Sequence, residues 1–299
     1  MRSLASTLLC SFLLATPLYA QGPDLSKVEI KATEVAKGVY MLTGAGGNLG
    51  VSVGKDGVFL IDDQYAPLTP KIQAAIQKLS DKPIRFVLNT HWHGDHTGGN
   101  ENLGKAGVMI VAHDNVRVRM SKEQVMKAFN ETVPASPAVA LPVLTFGQDV
   151  TFHWNDTAIH ALHVAPAHTD GDSIVHFEQQ NVLHMGDCYF NGMYPFIDTG
   201  SGGSIDGVIA AAERGLALAD AKTAIIPGHG KLASRADLVG YRDMLRTVRE
   251  RVSAAIAAGK SLDDMLAAKP TADLDKVWGG GFMDPPTFLR IVYGDLKGE

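Results

Sequence analysis

Apolar and polar positions follow two spacings along this chain, and the places where one gives way to the other mark its elements. From Val28 to Asp63 the period is two. Val28-Glu29-Ile30 and Val39-Tyr40-Met41-Leu42 read as strands, and Gly46 to Val53 pairs with Val58-Phe59-Leu60-Ile61 across the turn Gly54-Lys55-Asp56-Gly57. The period then lengthens, and Ile72, Ile76 and Leu79 fall on one face of a helix from about Pro70 to Leu79. A buried strand, Ile84-Arg85-Phe86-Val87-Leu88, follows. Helices are predicted over Asn100 to Lys105 and over Asp114 to Phe129, the second capped by Asp114, with a strand from Val108 to Val111 between them. The three prolines between Val133 and Pro142 exclude helix and central strand, leaving a connector or an apolar loop that moves over a site.

Alternating strands resume from Leu144 to Val164, and short strands are expected at Ile174 to Phe177, Asn181 to Gly186 and Thr223 to Ile226. Ser204 caps a helix that runs to Leu218, Ala236 to Ala258 forms one long helix, and shorter helices fall near 262–267 and 286–296. Strands and helices alternating in two successive series argue for a mixed α/β domain with helices outside packed sheets.

The densest chemistry follows the strand that ends at Leu88. Thr90 to Gly99 reads THWHGDHTGG, placing His91, His93, Asp95 and His96 within six residues. In extended chain His91 and His93 point the same way, so two imidazoles can grip one ion, while Gly94 lets the backbone turn and sends Asp95 and His96 toward a second. A single histidine carries little information; three with a carboxylate around a glycine point to a metal site.

HWHGDH, flanked by Val87-Leu88-Asn89-Thr90 and Thr97-Gly98-Gly99-Asn100, resembles the H-x-H-x-D-H signature of the metallo-β-lactamase superfamily. The further ligands that this family places downstream have counterparts in order: His168 in AHTDGDS, Asp187 in HMGDC and His229 in IPGHG. The resemblance implies the α/β four-layer αβ/βα sandwich of the metallo-β-lactamase type, with mixed sheets, helices outside and all ligands on loops along one edge. It also implies two zinc ions per chain, one held by His91, His93 and His168, the other by Asp95, His96 and His229, with Asp187 bridging. Asp95 has a second role in that picture, orienting the attacking water. Such a pair lowers the pKa of a shared water from about 15.7 toward 7, which suits the opening of a carbonyl substrate: a β-lactam, lactone, ester or thioester. The alternative within the fold is an iron-dependent oxidoreductase of the persulfide dioxygenase kind.

Cys188 beside Asp187 offers a competing ligand. Adjacent residues on extended chain face opposite sides, so the two do not share an ion; the Gly-Asp pair after a strand resembles the glyoxalase II and lactonase pattern and favours Asp187, with Cys188 left as a small buried hydrophobe. Asn191 stands where the cysteine-bearing lactamases carry a lysine. His113, His153, His160, His163, His176 and His184 lack partners at ligand spacing and read as core or surface residues. Tyr189, Phe190, Tyr194 and Phe196 lie in a glycine-rich loop, Cys188 to Gly203, and either wall a substrate pocket or pack on the core.

Composition narrows the setting. Arg2, an apolar core from Leu8 to Leu14 and Leu18-Tyr19-Ala20 read as a signal peptide over residues 1–20, cleaved near Ala20 and too short to span a bilayer. The expectation is one domain over 21–299, periplasmic or secreted, with no stable membrane anchor. Two cysteines, one of them in the signal, leave no internal disulfide, so a core drawn from 45% hydrophobic residues must carry stability. A formal net charge of −5 without basic clusters argues against nucleic acid, and the resemblance implies a small molecule with a hydrolysable carbonyl as the partner.

Overall fold

The structure is a computed structural model that describes residues 24–164 and 166–298. The signal-peptide segment lies outside the described residues. The first sheet holds β1 (Lys31–Ala36), β2 (Val39–Thr43), β3 (Leu49–Gly54), β4 (Gly57–Ile61), β5 (Ile84–Asn89) and β6 (Met109–His113) in that order. A separate hairpin, β7 (Gln124–Met126) and β8 (Glu131–Val133), precedes β9 (Leu144–Phe146), which completes the first sheet beyond β6. The second sheet runs β10 (Asp149–Trp154), β11 (Thr157–His163), β12 (Ser173–Phe177), β13 (Val182–His184), β14 (Ala224–Ile226) and β15 (Ala233–Ser234).

Nine helices surround the sheets among the described residues: α1 (Thr69–Gln77), α2 (Gly94–Thr97), α3 (Asn100–Lys105), α4 (Asp114–Met120), α5 (Ile205–Leu218), α6 (Arg235–Ala257), α7 (Leu262–Ala267), α8 (Asp275–Trp278) and α9 (Pro285–Lys297). The sheets face each other through Phe59, Ile61, Leu88 and Val111 on one side and Ile159, Val175, Phe177 and Ile226 on the other. Outside the first sheet, Ile72 and Ile76 of α1 and Leu103 of α3 cover Leu42, Val58, Leu60 and Val87. Outside the second, α5, α6 and α9 cover Leu183, Met185 and Ile225. That is the four-layer sandwich expected. It explains why every residue of β4 is buried: a strand sandwiched on both faces is apolar throughout rather than alternating.

Strand direction brings the sequence-distant site loops together. β5 runs parallel to β4 and β6, and β13 parallel to β14, so the segments after β5, β13 and β14 emerge at strand C-termini. His168 instead precedes β12, which is antiparallel to β13, so the start of β12 lies beside the end of β13.

Three local expectations are corrected. The first strand begins at Lys31, and Val28 to Ile30 stay outside the sheet. The helix expected over 114–129 stops at Met120, and residues 124–133 form the β7–β8 hairpin. Only Val116 and Met120 of α4 bury side chains, so nothing holds the polar Ser121-Lys122-Glu123 to the helix, and Asn130 turns the hairpin at φ 50°, which asparagine tolerates. The cap of α4 is His113, whose ring accepts from the Asn115 amide, and Asp114 is the first helical residue. The proline segment is a connector packed on α3: Ala140 O accepts from Asn100 Nδ2 at 3.0 Å, and a Cβ at Gly104 would strike Val139 O.

Candidate metal centre

All seven sequence-predicted residues converge. His91, His93, His168 and Asp187 form one group whose donor atoms lie within 4.8 Å of one another, and Asp95, His96 and His229 form a second. Asp187 joins them, with Oδ2 3.5 Å from His168 Nε2 and Oδ1 3.0 Å from His96 Nε2. His93 remains extended, α2 is one helical turn carrying Asp95 and His96, and a 3-10 turn at Gly186–Cys188 carries Asp187.

The outer nitrogens decide which ring atoms face inward. His168 Nδ1 donates to Phe196 O at 2.8 Å, and His93 Nε2 donates to Asp198 Oδ2 at 3.0 Å. His96 Nδ1 donates to Asp62 Oδ2 at 2.7 Å. Thr90 Oγ1 donates to Asp62 Oδ2 at 2.8 Å, so it accepts from His91 Nδ1 at 3.1 Å. Each outer nitrogen therefore holds the proton in the neutral ring and each inner nitrogen presents a bare lone pair. His93 Nδ1 and His168 Nε2 face each other at 2.8 Å, and the buried His91 Nε2 and Asp187 Oδ1 have no hydrogen-bond partner. Two facing lone pairs with orphaned acceptors around them are repulsive until a cation lies between them. These residues fit a metal.

Electrostatics divide the donors: burial disfavours charge on His96, but Asp187, Asp95 and Asp62 outweigh it and raise its pKa well above the ordinary value, so its inner nitrogen holds a proton that an ion would displace. Burial lowers the His91 pKa well below its ordinary value and the His168 pKa to about 4, keeping both as neutral donors. Burial also disfavours charge on His229, but Asp187 and Asp95 outweigh it and raise that pKa to about 9. Burial pushes Asp95 up, and the surrounding His96 and His229 reverse this, to about 2.

Close approach depends on small residues. A Cβ on Gly47 would fall 2.1 Å from His96 Cε1, and one on Gly228 would fall 2.1 Å from Asp187 Oδ1. Asn48 ties its loop to the His229 loop, its Nδ2 donating to Pro227 O and Gly230 O at 2.9 Å each.

Cys188 points away into the core beneath α5 and α6, its thiol pKa raised well above normal by burial, and it belongs to neither donor group. His184 is structural, bonding Asn48 O at 2.9 Å. All four aromatics of the loop are buried in the core, as the packing reading expected, with Phe190 also stacked on His229 and Phe196 beside His93 and His168. Sequence reasoning missed the supports of the ligands. Asp62 is legible only as an acid at the end of a fully apolar strand, and Asp198, distant in sequence, carries no local signal. No helix of the described residues is long and apolar enough to cross a membrane.

Comparison with known proteins follows the same geometry. The family model for the metallo-beta-lactamase superfamily matches residues 42–247, more than half of the chain and all seven donors. A hydroxyacylglutathione hydrolase from Nitrosococcus oceani is 29% identical over 235 residues, covering 77% of this chain and 81% of the relative. A metallo-beta-lactamase from Pontibacter korlensis superposes with TM-score 0.60 at 20% identity, covering 73% of this chain and 99% of that one. The sec-alkylsulfatase Pisa1 from Pseudomonas gives 0.70 at 19% identity, with 89% of this chain matched to 50% of that one. At these identities the structures show the fold.

Proposed function

Since the chain belongs to the metallo-beta-lactamase superfamily and is a metal-dependent hydrolase of it, we propose that it is an exported di-zinc enzyme that hydrolyses thioesters. The observation that carries this reading is the pair of donor groups with inward lone pairs joined by Asp187. Histidine and carboxylate donors without a thiolate suit zinc, and three imidazoles with positions left open suit a catalytic ion rather than a structural one. His91, His93 and His168 would hold one ion, Asp95, His96 and His229 the other, and Asp187 both. When bound, such ions supply a water ionised near neutral pH and polarise a carbonyl oxygen.

The chain's own residues set direction and orientation. The side chains of Asp95 and His229 are 21% and 26% exposed, while those of His91, His96, His168 and Asp187 are nearly sealed, so substrate arrives on the Asp95–His229 side. Asp95 Oδ2 lies 3.3 Å from His229 Nε2 on that more exposed side, placed to orient the attacking water. Asp62, Thr90 and Asp198 hold the imidazoles in place from behind.

Among carbonyl substrates, thioesters are favoured by the relative named a hydroxyacylglutathione hydrolase, which matches across most of both chains. The test is turnover by the purified chain of S-D-lactoylglutathione, a chromogenic cephalosporin and an aromatic lactone, with chelator and zinc add-back. A thioester kcat/KM near about 10⁴ M⁻¹s⁻¹ or above, lost on chelation and restored by zinc, is expected. A cephalosporin rate higher than the thioester rate would replace this reading with a β-lactamase. Iron as the native metal, with persulfide-dependent oxygen uptake, would replace it with an oxidoreductase. Export is tested by N-terminal sequencing of protein from a periplasmic extract, where Gln21 is the expected first residue.

A further inference from the structure

The second donor group draws its ligands from two separate segments, and one short loop ties these segments together. Asp95 and His96 ride on α2, whereas His229 lies in the turn after β14. Between β2 and β3, consecutive amides reach both segments: Gly47 N donates to Asp95 O at 3.1 Å, and Asn48 N donates to Gly228 O at 2.7 Å. The separation of Asp95 Oδ2 from His229 Nε2, 3.3 Å, is thus set through two adjacent backbone amides. The Asn48 side chain anchors its own residue to Pro227 O and Gly230 O, but leaves the peptide before it free to turn.

A peptide unit is planar, so the Gly47 carbonyl and the Asn48 N–H point in opposite directions and can only turn together. Such a flip changes ψ of the residue before and φ of the residue after. Here those residues are glycine and asparagine, the types that best tolerate the conformations it produces, so the backbone does not fix the unit. Gln64 does: its Nε2 donates to Gly47 O at 2.6 Å. Gln64 is fully buried, its backbone sits at φ 54°, where glutamine is uncommon, and its Oε1 is buried without a hydrogen-bond partner. Gly99 N donates to Gln64 O at 3.1 Å, fixing the residue just beyond α2. The fold carries a strained backbone and an unpaired acceptor at the one residue whose side chain holds the Gly47 carbonyl. We propose that Gln64 is a positioning residue: by locking the Gly47–Asn48 peptide it sets the spacing between α2 and the His229 turn, and with it the affinity of the Asp95, His96 and His229 group for its ion. This rests on the two-ion reading above.

The test is Gln64→Met, which keeps the length and volume of the side chain and removes the donor. Cobalt(II) is titrated into the metal-free full chain and followed by visible absorption, with His229→Ala marking which bands belong to the Asp95, His96 and His229 group. In Gln64→Met the ion of that group should bind at least about 10-fold more weakly, while the ion of His91, His93 and His168 changes less than about 2-fold. A general loosening of the fold would weaken both ions alike, and that result, or an unchanged second ion, overturns the lock. A second arm needs no metal. Amide hydrogen exchange of the Asn48 N–H in the metal-free chain should quicken at least about 10-fold in the variant, with β4 amides unchanged. Should Gln64→Met fail to fold, Gln64→Gly relieves the strain at φ 54° while removing the same donor, and the same selective loss is expected. If the unaltered chain takes up a single cobalt ion, the two-ion reading falls; the exchange arm then decides the lock, and unaltered protection of the Asn48 amide in the variant overturns it.

Discussion

Asp62 offers the sharpest test of how the donors are held. Its Oδ1 accepts from the Thr90 amide at 2.7 Å, and its Oδ2 accepts from Thr90 Oγ1 at 2.8 Å and from His96 Nδ1 at 2.7 Å, all fully buried. Asp62→Asn preserves volume and tolerates the residue's φ of 59°, which asparagine adopts readily. It nevertheless cannot keep every bond. With its oxygen toward the Thr90 amide, its NH₂ confronts His96 Nδ1–H and drives the ring proton to Nε2, the nitrogen that faces the site. With the amide reversed, the NH₂ confronts the Thr90 N–H instead, and a buried donor is left unpaired at a cost of about 1–3 kcal/mol. The first outcome corresponds to the 10–100-fold loss of metal affinity typical for a removed outer partner, about 1.4–2.7 kcal/mol. The two routes are of similar size, so neither orientation escapes. Zinc affinity measured by competition with a chromogenic chelator should fall about 10–100-fold for the Asp95, His96 and His229 group, with little change at His93 and His168, whose outer partners are Asp198 and Phe196 O. Far-UV circular dichroism and a thermal melt check that the fold persists. Wild-type zinc affinity and wild-type kcat/KM in D62N would refute the claim that Asp62 sets the His96 tautomer.

Gly47→Ala places a methyl 2.1 Å from His96 Cε1, so zinc content measured by plasma emission should drop and stability fall by about 1–3 kcal/mol in a denaturant titration. Cys188→Ala should leave zinc stoichiometry and kcat/KM unchanged while costing about 1 kcal/mol of core packing; loss of an ion in that variant would reinstate Cys188 as a ligand. Zinc uptake at pH 7 should release protons, because His229, with its pKa raised to about 9, carries a proton in the metal-free chain that the ion must displace. Titration calorimetry in two buffers of different ionisation enthalpy should therefore give different apparent enthalpies, and affinity should rise from pH 7 to 9; identical enthalpies would contradict the assigned protonation of His229.

Much of the donor set was legible because it is local. His91, His93, Asp95 and His96 sit on one strand end and one turn, where a period of two, a glycine and residue chemistry are enough to aim side chains. His168, Asp187 and His229 came from resemblance, each marked by a short glycine-bearing turn after or before an apolar run. The helices were readable where caps and periodicity agree, as in α5 and α6. The reading failed at 121–133, where a short amphipathic helix and a hairpin share a weak pattern and tertiary contacts choose between them.

By itself the sequence determined the residue types, their local spacing and the burial preference of each strand, since these depend on neighbours along the chain. Tertiary structure alone decided that seven donors from four loops meet with their lone pairs inward. It also assigned Asp62 and Asp198 to hold imidazoles and turned Cys188 into the core. Those outcomes depend on distances between residues far apart in the chain, fixed by the parallel pairing of β5 with β4 and β6 and of β13 with β14, and by close approaches at Gly47 and Gly228. A one-dimensional pattern carries no such distances.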